Sequence, residues 1–153
     1  MFTVALIDPQ IPPNTGNIAR LCAAADLELV IVGKLGFTLS DKYLKRAGLD
    51  YWEFSRIRYE ADWEKFYTGL DMSRAYLLTT KVQRPYTQIT PRPGDTFLFG
   101  SETAGLPEWL LESHPDACYT IPMKNPNVRS LNLATSVGIV MYHALSLYNF
   151  GSG

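Results

Sequence analysis

The chain is predicted to fold as an α/β structure, a mainly parallel sheet covered by helices on both faces. Three observations lead there. The strand-length runs 3–7, 29–32 and 96–99 are continuously apolar, whereas a half-exposed strand alternates. Segments with helical spacing separate such runs along the chain, the order that βαβ units require. No cluster of Pro and Gly marks a boundary, and 153 residues is the length of one domain. The expected organisation is one domain over 1–150 and a short tail of Gly151, Ser152 and Gly153.

Taken in order, 3–7 is a buried strand, and 8–15 is a loop with Pro9, Pro12 and Pro13. Asn14 or Thr15 is suited to cap a helix that runs to about Ala25, with Ile18, Leu21, Cys22 and Ala25 as its apolar stripe. Residues 29–32 form a second strand, closed by Gly33. Ser40 is suited to cap a short helix to Ala47, stopped by Gly48. Residues 54–59 alternate apolar with Ser55, Arg56 and Arg58, as an edge strand does. A turn or two of helix follows over 62–67, then a strand over 75–80. The segment 81–94 contains Pro85, Pro91 and Pro93 and is read as a loop. After the strand 96–99, a helix starts at 106–108, with Pro107 in its first turn and Glu108 beside it. The last strand is 119–121. The final helix follows Ser130 and Asn132, both good capping types. Leu133, Val137, Val140, Met141, Ala144, Leu145 and Tyr148 recur along it at helical spacing. Its other side carries Ala134, Ser136, Gly138, Ile139 and Tyr142 rather than charges, so the helix is expected to be buried all round.

Composition narrows the function classes. With 46% of residues hydrophobic and 19% charged, the chain can bury a core, which excludes a disordered or fibrous protein. The net charge is −1, so any nucleic-acid partner must be held by a local basic face. Candidates for such contacts are Lys42, Lys45, Arg46, Arg56, Arg58, Lys81, Arg84, Arg92, Lys124 and Arg129, although a solvated surface accounts better for any single one of them. Cys22 and Cys118 lack metal spacing and sit among apolar residues, so they are expected to be reduced core thiols in a cytoplasmic protein. His114 and His143 have no ligand partners at metal spacing, and no metal is expected. Trp63, Trp109, Tyr51 and Trp52 are expected in the core or an interface. The start MFTVALID has no basic n-region, and no apolar run reaches the length of a membrane span.

Ligands of parallel sheets bind beyond the carboxyl ends of the strands. Three polar turns follow strands here: 8–20, 100–107 and 122–132. In the first, Gly16 lies between Asn14 and Arg20 at a helix start, a place that favours an anion. The second has Gly100 and Gly105 around Glu102, and it is neither a Walker loop nor a GxGxxG turn. In the third, backbone groups near Ile121 and Met123 suit an adenine edge, while Ser130 and Asn132 bring a hydroxyl and an amide. Each turn is also compatible with a plain capped helix. If all three lie at one end of the sheet, they build one site.

The three turns read Asn-x-Gly-Asn-Ile-x-Arg over 14–20, Phe-Gly-x-Glu-x-x-Gly-Leu-Pro over 99–107, and Ile-Pro-Met from 121 with Arg-Ser-Leu-Asn-Leu over 129–133. In that order and at those distances they resemble the SpoU branch of the SPOUT methyltransferases, over nearly the whole chain. The short length, the 8–20 segment, 44–54 and the Leu-Thr-Thr-Lys of 78–81 are similar to its TrmL (YibK-like) group. The resemblance implies methyl transfer from S-adenosylmethionine to the ribose 2′-hydroxyl of the wobble cytidine or uridine of leucine tRNAs. It implies a C-terminal trefoil knot, which periodicity does not suggest. It places cofactor contacts on Leu78, Gly100, Ile121 and Ser130, with Met123 and Leu131 nearby, and catalytic or structural polar roles on Asn14, Arg20, Glu102, Ser130 and Asn132. It also implies a homodimer with each site near the partner's surface, and the apolar final helix suggests an interface around Val137, Met141, Tyr142 and Leu145. Ser101 and Ala104 depart from the Pro and Arg of many relatives, which bears on the tRNA set more than on the reaction. Three other readings stay open: the same chemistry at another tRNA or rRNA position, an RNA-binding module with a relic cofactor site, and a small-molecule enzyme on a flavodoxin-like sheet. The last needs a phosphate-binding turn after the first strand, for which Pro12, Pro13 and Asn14 are poorly suited.

Overall fold

The structure is a computed structural model and describes residues 1–38 and 56–151. Among them, six strands form one sheet: β1 (Thr3–Ile7), β2 (Glu28–Val32), β3 (Arg56–Glu60), β4 (Ala75–Leu78), β5 (Thr96–Phe99) and β6 (Cys118–Tyr119). Their order is β3-β2-β1-β5-β4-β6, and every pairing is parallel. The continuous apolar runs therefore mean what the sequence suggests. Val4, Ala5, Leu6, Leu29, Val30, Ile31, Phe97 and Leu98 are all inaccessible to solvent, because both faces of the sheet are covered. Alternating β3 is an edge strand, as expected.

Among the described residues, four α-helices supply the cover. On one face lie α1 (Pro12–Ala25) and α4 (Leu133–Ser146), packed against Leu6, Leu29, Ile31, Phe97 and Phe99. On the other lie α2 (Trp63–Thr68) and α3 (Glu108–Ser113), through Phe66, Leu110 and Leu111 on Ala5, Val30, Leu77 and Leu98. Trp63 and Trp109 meet Tyr67 in an aromatic cluster on that second face. Burial pushes the Cys22 thiol up to about 12, so it stays protonated and inert. At the amino ends of the strands, buried Asp95 is satisfied by Arg74 Nε at 2.8 Å, Tyr76 OH at 2.7 Å and Arg92 N–H at 2.8 Å. The helix expected over 40–47 lies outside the described residues, as do Lys42, Lys45, Arg46, Tyr51, Trp52 and Phe54.

Two expectations are corrected. The first concerns α4, which is not buried all round. Leu133, Val137, Val140, Met141, Ala144 and Leu145 face the core, while Tyr142 is 42% exposed and Gly138 and Ile139 are partly so. Small, uncharged residues on the outer side imitate a buried face, yet they cost little to leave in water. Consequently Val137, Met141 and Leu145 belong to the chain's own core, each contributing about 1.5–3 kcal/mol, and only Tyr142 of the expected interface is free to touch another molecule. The second concerns α1, which starts before Asn14. Ile11 is its N-cap without a side-chain bond, and Pro12 and Pro13 fill its first turn.

The chain after β6 runs beside the loop after β4: Thr120 N–H donates to Arg84 O and Tyr86 N–H to Thr120 O, both at 2.8 Å. It then returns to put α4 beside α1 on the far side. That path agrees with the threaded C-terminus that the resemblance implies.

Candidate functional site

The carboxyl ends of the strands frame a pocket of about 640 Å³. All three polar turns reach it. The β1 turn brings Ile11 and Asn14, the β5 turn brings Gly100 to Leu106, and the segment after β6 brings Ile121, Met123 and Arg129 to Leu133. Sequence reasoning from the residues overlooked a fourth wall, Leu78 with Thr79, Thr80 and Lys81. It is a polar turn after a strand, so the rule that found the other three would have found this one.

Glu102 ties the walls together. Its Oε1 accepts Gln10 N–H at 2.9 Å, and its Oε2 accepts Ile11 N–H at 2.8 Å and Asn14 Nδ2 at 3.2 Å. A carboxylate from the β5 turn thus serves the uncapped start of α1, where the helix dipole favours negative charge. Asn14 is 7% exposed, and its Oδ1 accepts Asn132 Nδ2 at 3.0 Å. Asn132 in turn caps α4, its Oδ1 accepting Thr135 N–H at 3.1 Å. The line Glu102–Asn14–Asn132 joins the starts of two helices whose sequences lie more than a hundred residues apart. With both oxygens engaged in hydrogen bonds, Glu102 is arranged to position the turn rather than to take a proton.

The β5 turn is tight. A Cβ on Gly100 would stand 2.0 Å from Gly105 C and 2.2 Å from Leu106 N. Gly105 has φ +68°, and its N–H donates to Ser101 O at 3.0 Å. Ser101 Oγ accepts Ala104 N–H at 3.0 Å, so this chain closes the turn with its own hydroxyl. Ile121, Met123 and Leu131 are half-buried in the pocket wall, whereas Ser130 is exposed at its mouth. Arg20 lies on the exposed side of α1 and is not part of the lining. Arg129, foreseen as a candidate phosphate contact, is. Another expected phosphate contact is corrected: Arg84 spends its guanidinium on the carbonyls of Pro115, Asp116 and Cys118 and lies 4.4 Å over the Tyr119 ring. His114 is bonded to Tyr67 OH at 2.8 Å, a structural role. Among the described residues, no cluster of His, Cys, Asp and Glu could hold a metal ion.

The arrangement suits a mid-sized ligand with both apolar and polar parts. Gly100 lines the pocket wall as part of the tight β5 turn, hydroxyls stand at the mouth, and Lys81 and Arg129 add positive charge. Comparisons with known proteins agree on what such a chain is similar to. The family described as SpoU rRNA Methylase matches residues 1–142. A tRNA (cytidine(34)-2'-O)-methyltransferase of Methylovorus glucosotrophus is 44% identical over 98% of this chain and 97% of its own. A structure solved for insights into the 2-OH methylation of C/U34 on tRNA superposes with a TM-score of 0.90, at 39% identity over 97% of both chains. An AdoMet-bound rRNA methyltransferase from Sinorhizobium meliloti superposes at 0.83, with 25% identity over 95% of this chain and 56% of that one.

Proposed function

The chain belongs to the SpoU rRNA methylase family, and from that premise we propose that it transfers a methyl group from S-adenosylmethionine to the ribose 2′-hydroxyl of nucleotide 34, the wobble position, of tRNA. Cytidine and uridine are both accepted, leucine isoacceptors are the substrates, and the enzyme works in the cytoplasm as a homodimer. The observation that carries the reading is the pocket where the four turns meet, in a chain so similar over its whole length to enzymes named for position 34.

The residues present fit the cofactor. The pocket has the volume of a small-molecule site, and Leu78, Ile121, Met123 and Leu131 offer apolar contact beside backbone polar groups. Ser130 supplies a hydroxyl at the mouth. Once bound, S-adenosylmethionine supplies an electrophilic methyl group. The work left to the chain is to orient the 2′-hydroxyl, to exclude competing water and to stabilise charge. Asn14, Glu102 and Asn132 hold the turns in register. The guanidinium of Arg20 stabilises the developing charge on the ribose oxygen and grips the adjacent phosphate from the exposed side of α1. The proton leaves to a phosphate oxygen or water.

One experiment tests the reading. Purified protein, labelled S-adenosylmethionine and tRNA carrying C34 are combined, and the methylated nucleotide is mapped. The expected product is 2′-O-methylcytidine at position 34, with S-adenosylhomocysteine bound in a parallel titration. A methyl group at another tRNA or rRNA position would move the substrate assignment, and RNA binding without cofactor binding would mean a relic site.

A further inference from the structure

Beside the pocket, at the same end of the sheet, opens a second groove of about 520 Å³. The two share Lys81, Ser101 and the 103–106 wall, so a ligand in one continues into the other. The opposite wall comes from the β1 and β2 turns, with Asp8, Gln10 and Lys34. That wall is firmly built. Asp8 Oδ1 accepts Lys34 N–H at 2.7 Å, Gln10 Nε2 donates to Asp8 O at 2.7 Å, and Gly36 N–H donates to Pro9 O at 3.0 Å. The backbone therefore fixes the root of Lys34 while its side chain remains exposed.

The groove has an ammonium at either end. Lys34 follows β2 and Lys81 follows β4, with β1 and β5 between, so their roots lie about 14 Å apart. Among the described residues, the Lys34 ammonium has no carboxylate within ion-pair distance. Lys81 is 3.7 Å from Glu108, but the two side chains are 56% and 71% exposed, so water screens the pair. One oxygen of Asp8 is taken by backbone. Ser101 and Thr103 add hydroxyls along the floor.

We propose that this groove carries the sugar–phosphate strand next to the target ribose, with Lys34 and Lys81 as two of its phosphate contacts and Glu108 as the carboxylate that competes with RNA for Lys81. The proposal rests on the RNA reading above and extends it to named contacts. Phosphate contacts position a strand without reading its sequence, so both lysines act equally on every RNA that enters. RNA binding exchanges the Lys81–Glu108 pair for a Lys81–phosphate pair and leaves Glu108 to water.

The test uses Lys34→Ala, Lys81→Ala and Glu108→Gln in the full chain, with S-adenosylhomocysteine calorimetry and tRNA binding measured from low to high salt. Each lysine variant should weaken tRNA binding about five- to eightfold at ~0.1 M salt and lower the slope of log K against log salt by roughly 0.7–0.9. Glu108→Gln should tighten tRNA binding, and Lys34→Ala should raise KM for tRNA while kcat stays level. If the Lys81–Glu108 pair merely braces the fold, Lys81→Ala and Glu108→Gln will shift tRNA affinity in the same direction, which overturns the proposal. Unchanged salt slopes in both lysine variants overturn it too. A wild-type protein that binds S-adenosylhomocysteine but no RNA at all would mark failure of the RNA reading itself.

Discussion

Gly100 shows how a single side chain can be forbidden by the chain rather than by a ligand. Its absent Cβ would meet the backbone of Gly105 and Leu106 well inside contact distance, and backbone cannot swing aside as a side-chain end can. Even Gly100→Ala should therefore open the β5 turn, lowering stability by about 1–3 kcal/mol and abolishing S-adenosylhomocysteine binding. Thermal unfolding and calorimetry check both effects, and normal affinity in that variant would remove the turn from the cofactor site. Gly105 offers a contrast. There a Cβ finds open space, and only φ +68° resists it, so Gly105→Ala should be the milder change, about 1 kcal/mol. Arg20 has a different kind of consequence, because it is exposed and outside the pocket lining. Arg20→Ala is expected to keep cofactor affinity and to cut the single-turnover methylation rate by ~100-fold or more. Lysine should rescue poorly, since a point charge does not replace a two-pronged grip on phosphate. A wild-type rate at saturating cofactor and tRNA would leave Arg20 a surface residue.

At the level of elements, α1 and α4 depend on each other at their starts. Asn132 caps α4 and also donates to buried Asn14. Asn132→Ser keeps a capping oxygen and loses the amide group that donates to Asn14, whereas Asn132→Ala loses both. The alanine variant should cost about 1 kcal/mol more than serine, the value of a typical N-cap, on denaturant unfolding. Equal losses would mean that the cap contributes nothing there. Which parts were legible in the sequence follows from range. Strands β1, β2 and β5 were legible because burial on both faces leaves a local signature, an unbroken apolar run. Three of the four pocket walls were read as polar turns after strands, and the fourth, Leu78 to Lys81, was missed because the strand was drawn through it to residue 80. The start of α1 was misplaced because the N-cap, Ile11, is not a capping type and its N–H is satisfied by Glu102, a residue from the other half of the chain. The outer face of α4 was misjudged because small apolar residues look alike in core and solvent.

For the whole molecule, three of the exposed large apolar side chains among the described residues lie near the C-terminus. Tyr142, Leu147 and Phe150 are 42%, 53% and 59% exposed, and the Tyr142 and Phe150 rings lie 6.1 Å apart. This patch is where the proposed homodimer should meet, and Tyr142→Glu should shift sedimentation at micromolar concentration from dimer to monomer. A monomeric wild-type protein would refute that assembly. The sheet itself sets a timetable for the newborn chain. Leu6 is paired with Phe99 at the centre, so β1 waits for about 90 further residues before one of its sides is covered. At about 5–20 residues per second, that wait lasts roughly 5–20 s. For that time an apolar strand stands with an open edge beside the ribosome, a template for any other exposed strand. Translational pauses before β5 has left the ribosome therefore carry an aggregation risk that later pauses do not.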